Sequence, residues 1–252
     1  MFRMGNRVLI ELHNVRKVYV RDKEEVVGID NITVTINKGD FVVIVGPSGS
    51  GKTTLLNLMS GMDRPTSGDI LFELRNIRDL SEEELTKIRR QKIGFIFQFF
   101  NLIESMTAFE NVMLPLIPDP DLPDKEIQSR ALKALSTVEM LDKKDHLPNQ
   151  LSGGEQQRVA IARAIVSDPE VIFADEPVAQ LDEENARKVL ELLIELNKRK
   201  AATIVLATAS RELANRLKNE ANKIISLERG IVKEILEKRG NRWTAISLTE
   251  ER

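Results

Sequence analysis

The chain has 252 residues, with 37 basic and 39 acidic side chains and no cysteine. Nearly balanced charge gives no global field to draw it to nucleic acid or anionic lipid, and the lack of thiols excludes disulfides, thiol catalysis and zinc–thiolate sites and fits a reducing compartment. The first twenty residues carry Arg3, Arg7, Glu11, Arg16 and Lys17 without an apolar run of signal-peptide length. No stretch approaches the roughly 18 apolar residues of a membrane span, so neither a leader nor a spanning helix is expected, and the length suits one domain with an appended subdomain.

In chain order, Ile32, Val34 and Ile36 alternate with Thr33 and Thr35, the period of a strand with one solvated face, before a turn at Asn37–Asp40. Phe41–Val45 is a continuous apolar run of the buried parallel type. Residues 54–59 read as a helix, 64–68 as a turn and 70–74 as a short strand. Ser81 and Glu84 supply a capping box for a helix to about Gln91, and 94–97 forms a strand running into Gln98. From about 99 to 150 strands vanish. Pro115, Pro118, Pro120 and Pro123 punctuate a loop, and Ile127, Ala131, Leu135 and Val138 mark an amphipathic helix, the sign of a helical subdomain. The α/β pattern resumes with a helix near 154–167, a strand at 171–174, a helix with Val189, Leu192, Leu193 and Leu196 on its apolar face, and a strand at 203–207. A strand–Gly–strand unit surrounds Gly230, and 237–252, dense in charge with little periodicity, reads as a loose helix or tail.

Three segments carry chemistry. Residues 46–53, Gly46, Pro47, Ser48, Gly49, Ser50, Gly51, Lys52 and Thr53, fit the pattern G-x-x-x-x-G-K-[ST] between a strand and a helix. Small residues let backbone N–H groups curl around a phosphate chain at a helix N-terminus; Lys52 would reach the β- and γ-phosphates and the Thr53 hydroxyl would ligate Mg²⁺. With Thr54, these residues are the expected cradle of a nucleoside triphosphate. Asp175 and Glu176 follow four apolar residues, which puts two carboxylates at the C-terminal edge of a buried strand, where ligands bind in open α/β sheets. Asp175 would hold Mg²⁺ and Glu176 would accept a proton from an attacking water, although an N-cap for the next helix explains the pair equally well on its own. In the third segment, Ser152, Gly153 and Gly154 precede Glu155 and open a helix. They read either as a second anion site serving another nucleotide's phosphate or as a capping box with flexible glycines.

Together these segments resemble the ATP-binding cassette family across nearly the whole chain. The phosphate loop, Gln98 of the Q-loop, the signature Leu151–Gln156, the Walker B strand 171–175, Glu176 and the D-loop Leu181-Asp182 stand in the family's order. The resemblance implies an α/β fold of the P-loop NTPase (RecA-like) type, with a mostly parallel core, an N-terminal antiparallel β subdomain and an inserted α-helical subdomain. On this reading 1–236 is the ATP-binding domain, with the helical part at about 99–155, and 237–252 is a charged tail. The resemblance also implies Tyr19 as the aromatic on adenine, although a lone Tyr could be a core residue. Lys52, Gln98 and Glu176 become catalytic groups, Thr53, Gln98 and Asp175 magnesium ligands, and Asp182 part of the nucleotide site. A head-to-tail dimer follows, formed with itself or a second cassette, in which Ser152, Gly153 and Gly154 cover the γ-phosphate held by the other subunit. An integral membrane permease is the implied partner, at the cytoplasmic face, with no nucleic acid. Segments such as 56–61, 66–68, 88–90, 93–98, 110–112 and 148–154 are similar to the lipoprotein-release and macrolide-export branch, which includes a cell-division ATPase.

The pattern breaks at 208–210. The family has a histidine reaching the γ-phosphate after this strand, whereas the chain has Thr208, Ala209 and Ser210, and His13 and His146 lie elsewhere. Pro177-Val178-Ala179-Gln180 also departs from the branch. A naturally slow hydrolase, deliberate changes, or a second cassette completing the site would each account for this, and natural divergence is favoured. The alternatives in function are an ATP-gated binding module with little turnover and a soluble repair or translation cassette. Repair cassettes need a long coiled coil, and no heptad array is present.

Overall fold

A computed structural model describes residues 7–22, 24–240 and 242–246. In chain order the elements are β1 (Val8–Arg21), β2 (Glu24–Asn37), β3 (Phe41–Val45), α1 (Lys52–Met59), β4 (Ser67–Phe72), β5 (Arg75–Asn76), α2 (Glu82–Lys92), β6 (Ile93–Ile96), α3 (Ala108–Met113), α4 (Asp124–Thr137), α5 (Gly153–Ile165), β7 (Val171–Asp175), α6 (Glu183–Lys200), β8 (Thr203–Thr208), α7 (Arg211–Arg216), β9 (Lys223–Glu228), β10 (Ile231–Arg239) and β11 (Arg242–Ile246). They fall into two compact units, 1–85 with 203–252, and 86–202.

In the first unit β1 pairs antiparallel with β2 and β4, and β4 with β5. Ile32, Val34 and Ile36 are buried while Thr33 is exposed, as the alternation predicts. The second sheet of this unit places β3 parallel between β8 and β9, with β10 and β11 added antiparallel. Every residue of β3 is buried, which is why its sequence is apolar throughout rather than alternating. The Lys223 ammonium, buried at the start of β9, donates to the Thr35 carbonyl and lies 3.6 Å from Glu237 on β10.

Two expectations are corrected here. The strand expected at 70–74 runs 67–72, because Glu73 and Leu74 both have positive φ (48° and 67°) and form the two-residue turn into β5. The loose helix or tail expected over 237–252 is strand in its described part: β10 reaches Arg239 and β11 returns antiparallel, pairing Lys238 with Trp243 and Glu237 with Thr244. Residues 241 and 247–252 lie outside the described residues.

In the second unit β6 and β7 pair in parallel, Ile93 with Val171 through Ile96 with Ala174. Residues 99–150 are helical and irregular as expected. Ile127, Ala131, Leu135 and Val138 are all buried beneath α4. A capping box between Thr107 and Glu110 starts α3. Asn111, fully buried, fixes the preceding loop by donating to Ile103 O, Met106 O and Thr107 O and accepting from Ile103 N. Among the described residues no helix is long and apolar enough to cross a membrane.

Candidate functional site

The first unit assembles the phosphate loop between β3 and α1. Gly46 N donates to Thr208 O (3.2 Å) and Gly230 N to Ser50 O (2.9 Å), so the loop is fastened at both ends to neighbouring strand ends. Lys52, 6% exposed, donates to Gly46 O (2.9 Å) and Pro47 O (3.2 Å), which holds its ammonium inside the curl of the loop. Gly51 is the N-cap of α1 in the left-handed region, φ 99°, and a Cβ there would lie 2.5 Å from Gly28 O. No side chain caps α1, so its first N–H groups face the loop. The Ser50 hydroxyl is buried, and its Oγ has no hydrogen-bond partner. A buried hydroxyl without a partner costs roughly 1–3 kcal/mol, so its place beside the lysine and the uncapped helix end fits a phosphate-bearing ligand. Pro47, Ser48, Gly49 and Thr53 are exposed, and Thr54 is half-buried.

Tyr19 stands close to this loop: its ring edge and the Thr54 methyl both border Gly28. Its hydroxyl donates to Asp63 Oδ2 (2.9 Å), and Lys17 Nζ lies 5.0 Å from the ring centroid. Burial works to raise the Asp63 carboxyl, but hydrogen bonds from Lys17 and Tyr19 outweigh it and hold that group below the usual carboxylate range. At the end of β8, Thr208 Oγ1 accepts from Ser210 N (3.1 Å), and Ser210 Oγ caps α7 by accepting from Leu213 N (3.1 Å). Ala209 between them is exposed. His13 sits on β1 opposite Asp69, 3.2 Å from Glu11.

The second unit gathers the other groups. Asp175, 6% exposed, ends β7, and Glu176 follows with φ 47°, a left-handed conformation that β-carbon residues rarely adopt. Ala179 N closes a turn onto Glu176 O (3.1 Å). In the parallel register Ile96 lies beside Ala174, so Gln98 and Glu176 leave the same ends of adjacent strands. Phe99 is 65% exposed, whereas Phe100 is half-buried. Arg163 of α5, its guanidinium pushed down by burial, donates to Phe100 O (2.9 Å) and Asn101 O (2.6 Å) and fixes the chain leaving Gln98.

Ser152 is the N-cap of α5. It accepts from Glu155 N (3.3 Å) while Ser152 N donates to Glu155 Oε2 (2.8 Å), and that backbone bond holds Glu155 below the usual carboxylate range. The capping-box reading of this segment is therefore realised in geometry, and the N–H groups of Gly153 and Gly154 open the helix beyond it. Asp182 caps α6. Asn185 supplies its backbone N–H to Oδ1 (3.0 Å) and its amide to Oδ2 (2.6 Å), lowering the Asp182 carboxyl by those bonds in that order. The same Asn185 packs against Gly154, where a Cβ would come within 2.9 Å of Asn185 Cβ and closer still to its amide. Gln157, fully buried on α5, donates from Nε2 to Pro177 O (2.7 Å). Sequence reasoning missed both Asn185 and Gln157. For Gln157 a signal existed: it falls on the buried helical stripe with Ala160, Ile161 and Ala164.

A strand–phosphate loop–helix unit in the first unit and a parallel strand ending in Asp175 in the second are the elements of a P-loop NTPase. The chain belongs to the ABC transporter family, as its ATP-binding and ATP-hydrolysing cassette: the family model matches residues 29–179, more than half of the chain. It is 46% identical over 203 residues, 79% of this chain and 86% of the relative, to the uncharacterized ABC transporter ATP-binding protein MJ0796 of Methanocaldococcus jannaschii. It is also 46% identical over 188 residues, 75% of this chain and 76% of the relative, to the lipoprotein-releasing system ATP-binding protein LolD 1 of Chlorobium chlorochromatii, which supports the branch expected from the sequence. A solved structure of the ATP-binding cassette MJ0796, dimeric, in a post-hydrolysis state and bound to ADP and Pi, superposes with a TM-score of 0.83 at 42% identity. That match covers 92% of this chain and all of the other.

Proposed function

We propose that the chain binds ATP with Mg²⁺ through residues 46–54 and that two cassettes close head to tail, Ser152, Gly153 and Gly154 of one facing the γ-phosphate held by the other. One observation carries this reading: a single chain presents two helix N-termini suited to phosphate, α1 behind the uncapped Gly51 and α5 behind Ser152. One nucleotide needs one such loop, so the second serves another.

On the first unit Lys52 is the charge on the β- and γ-phosphates, Tyr19 the adenine platform and Thr53 a magnesium ligand. On the second unit Asp175 and Gln98 are magnesium ligands and Asp182 belongs to the D-loop of the nucleotide site. These donors are all oxygens, the set a hard cation prefers. When bound, Mg²⁺ neutralises phosphate charge. Glu176 takes the proton of the attacking water as its oxygen bonds to the γ-phosphorus, and the bond to the bridging oxygen breaks to leave ADP and phosphate. The cassette spans 1–236 with its helical insert at about 99–155.

Glu176→Gln is expected to trap an ATP-dependent dimer, because closure then outlives turnover. Sedimentation at saturating MgATP showing monomer alone would count against the sandwich.

The partner that this cassette drives is an integral membrane permease subunit, which places the chain peripherally on the cytoplasmic face of the membrane. Phe99 is an exposed apolar group at the junction with the helical segment, in reach of a short helix from that subunit. Phe99→Asp is expected to abolish co-sedimentation with permease-containing membranes and leave ATP affinity unchanged; retained association moves the docking groove elsewhere. A second reading, an ATP-gated module with little turnover, is favoured by Ala209. Steady-state phosphate release with and without the permease separates the two.

A further inference from the structure

Glu176 sits where its own backbone resists being held. It follows the last residue of β7 with φ 47°, and residues with a β-carbon adopt that conformation only when their surroundings impose it. Among the contacts around it, two hold the turn that follows it. Ala179 N closes a turn onto Glu176 O, and the next residue, the buried Pro177, has its carbonyl taken by Gln157 Nε2 at 2.7 Å. The first is local to the turn. The second reaches back 20 residues to the middle of α5, the helix whose N-terminus carries Ser152, Gly153 and Gly154.

We propose that Gln157 is a positioning residue for Glu176: its side-chain amide clamps the Pro177–Val178 peptide, one residue beyond Glu176, to α5 and so fixes where the carboxylate points. This rests on the assignment of Glu176 as the acceptor of the water proton. A second observation supports it independently. Gln157 is fully buried, and its Oε1 accepts no hydrogen bond. A residue chosen only to fill this buried position would be apolar, as Ala160 and Ile161 on the same stripe are, because an amide whose oxygen is left unsatisfied is a poor filler. What the amide adds over an apolar side chain of the same length is a polar end, and its Nε2 donates to Pro177 O. The clamp also joins the segment that opens on Glu176 to the helix that begins at the signature, so both belong to one packed body.

The test uses the full-length protein. Gln157→Met keeps length and volume and deletes the donor. It is expected to lower kcat at least tenfold while the KM for ATP stays within about twofold and fluorescent-nucleotide binding equals that of the parent. Gln157→Glu keeps the shape and donates to Pro177 O only while protonated; burial favours that neutral form. Its rate is therefore expected to approach the parent's at low pH and to fall away from it as pH rises and the carboxyl ionises. A Met variant with kcat within twofold of the parent overturns the proposal. So does a parallel loss of kcat and ATP binding with a parent-like pH profile for the Glu variant, and so does failure of both variants to fold, since each assigns the amide to stability alone. Glu176→Gln assayed alongside separates the two levels: if it hydrolyses ATP as fast as the parent, the assignment of Glu176 fails, whereas loss of activity there with none at Gln157 sinks only the clamp.

Discussion

Replacing Ala209 with histidine is expected to raise kcat for ATP hydrolysis at least tenfold with little change in KM. A donor aimed at charge that develops in the transition state is typically worth 10²–10³ in rate, about 2.7–4 kcal/mol, while ground-state binding is shared among many contacts and barely registers its absence. The local structure suits the replacement. Ala209 is exposed, so an imidazole displaces nothing, and the backbone on either side is fixed: Thr208 O accepts from Gly46 N of the phosphate loop, and Ser210 caps α7. The two hydroxyls nearby already have structural duties, Thr208 Oγ1 as acceptor from Ser210 N and Ser210 Oγ as acceptor from Leu213 N. Steady-state phosphate release from parent and variant decides it. A parent that already turns over as fast as ordinary cassettes, or a variant that gains nothing, assigns the role to Thr208, Ser210 or a second cassette.

Lys52→Ala is expected to weaken ATP binding by about 2–3 kcal/mol, roughly 30- to 140-fold in affinity, the size of a lost charge-assisted contact to a buried phosphate. Its ammonium lies within the loop, bonded to Gly46 O and Pro47 O, so the charge is already placed with little side-chain entropy left to lose on binding. The same two bonds make a control necessary, because alanine leaves both carbonyls without that donor. Lys52→Met keeps the stem, and an equal loss in both variants, with unchanged melting temperature, attributes the effect to charge. Equal ATP affinity for Lys52→Ala and the parent would remove residues 46–54 from the nucleotide site.

The phosphate loop was legible in sequence because a loop that curls its backbone N–H groups inward restricts composition: Gly51 must occupy φ 99°, and side chains must stay clear of the curl. β3 and β7 were legible because burial on both faces leaves only apolar residues. The six-residue α7 has too few turns for a period to register, and its start signal, Ser210, was read only as part of the altered switch. The β10–β11 hairpin was hidden by Lys233, Glu234, Glu237, Lys238, Arg239 and Arg242, whose charge masks the pairing that the backbone makes. Gln157 and Asn185 were missed for a different reason. Asn185 is an ordinary polar residue on the solvated turn of α6, distinguished only by its packing on Gly154, whereas Gln157 does fall on the buried stripe of α5 but sits among the signature's polar residues, which drew the reading to phosphate instead.

The contact between Asn185 and Gly154 sets an order on how this chain can vary over time. With asparagine at 185, even a methyl group at 154 meets a side chain whose amide is bonded to Asp182 Oδ2, so the glycine cannot be the first of the pair to change. A smaller residue at 185 relieves the closest contacts, those with the amide, at the cost of the amide's bond to Asp182 Oδ2, and only glycine there would also clear the Cβ at 2.9 Å. Drift at this part of the signature is therefore gated from outside it, by a position 31 residues downstream.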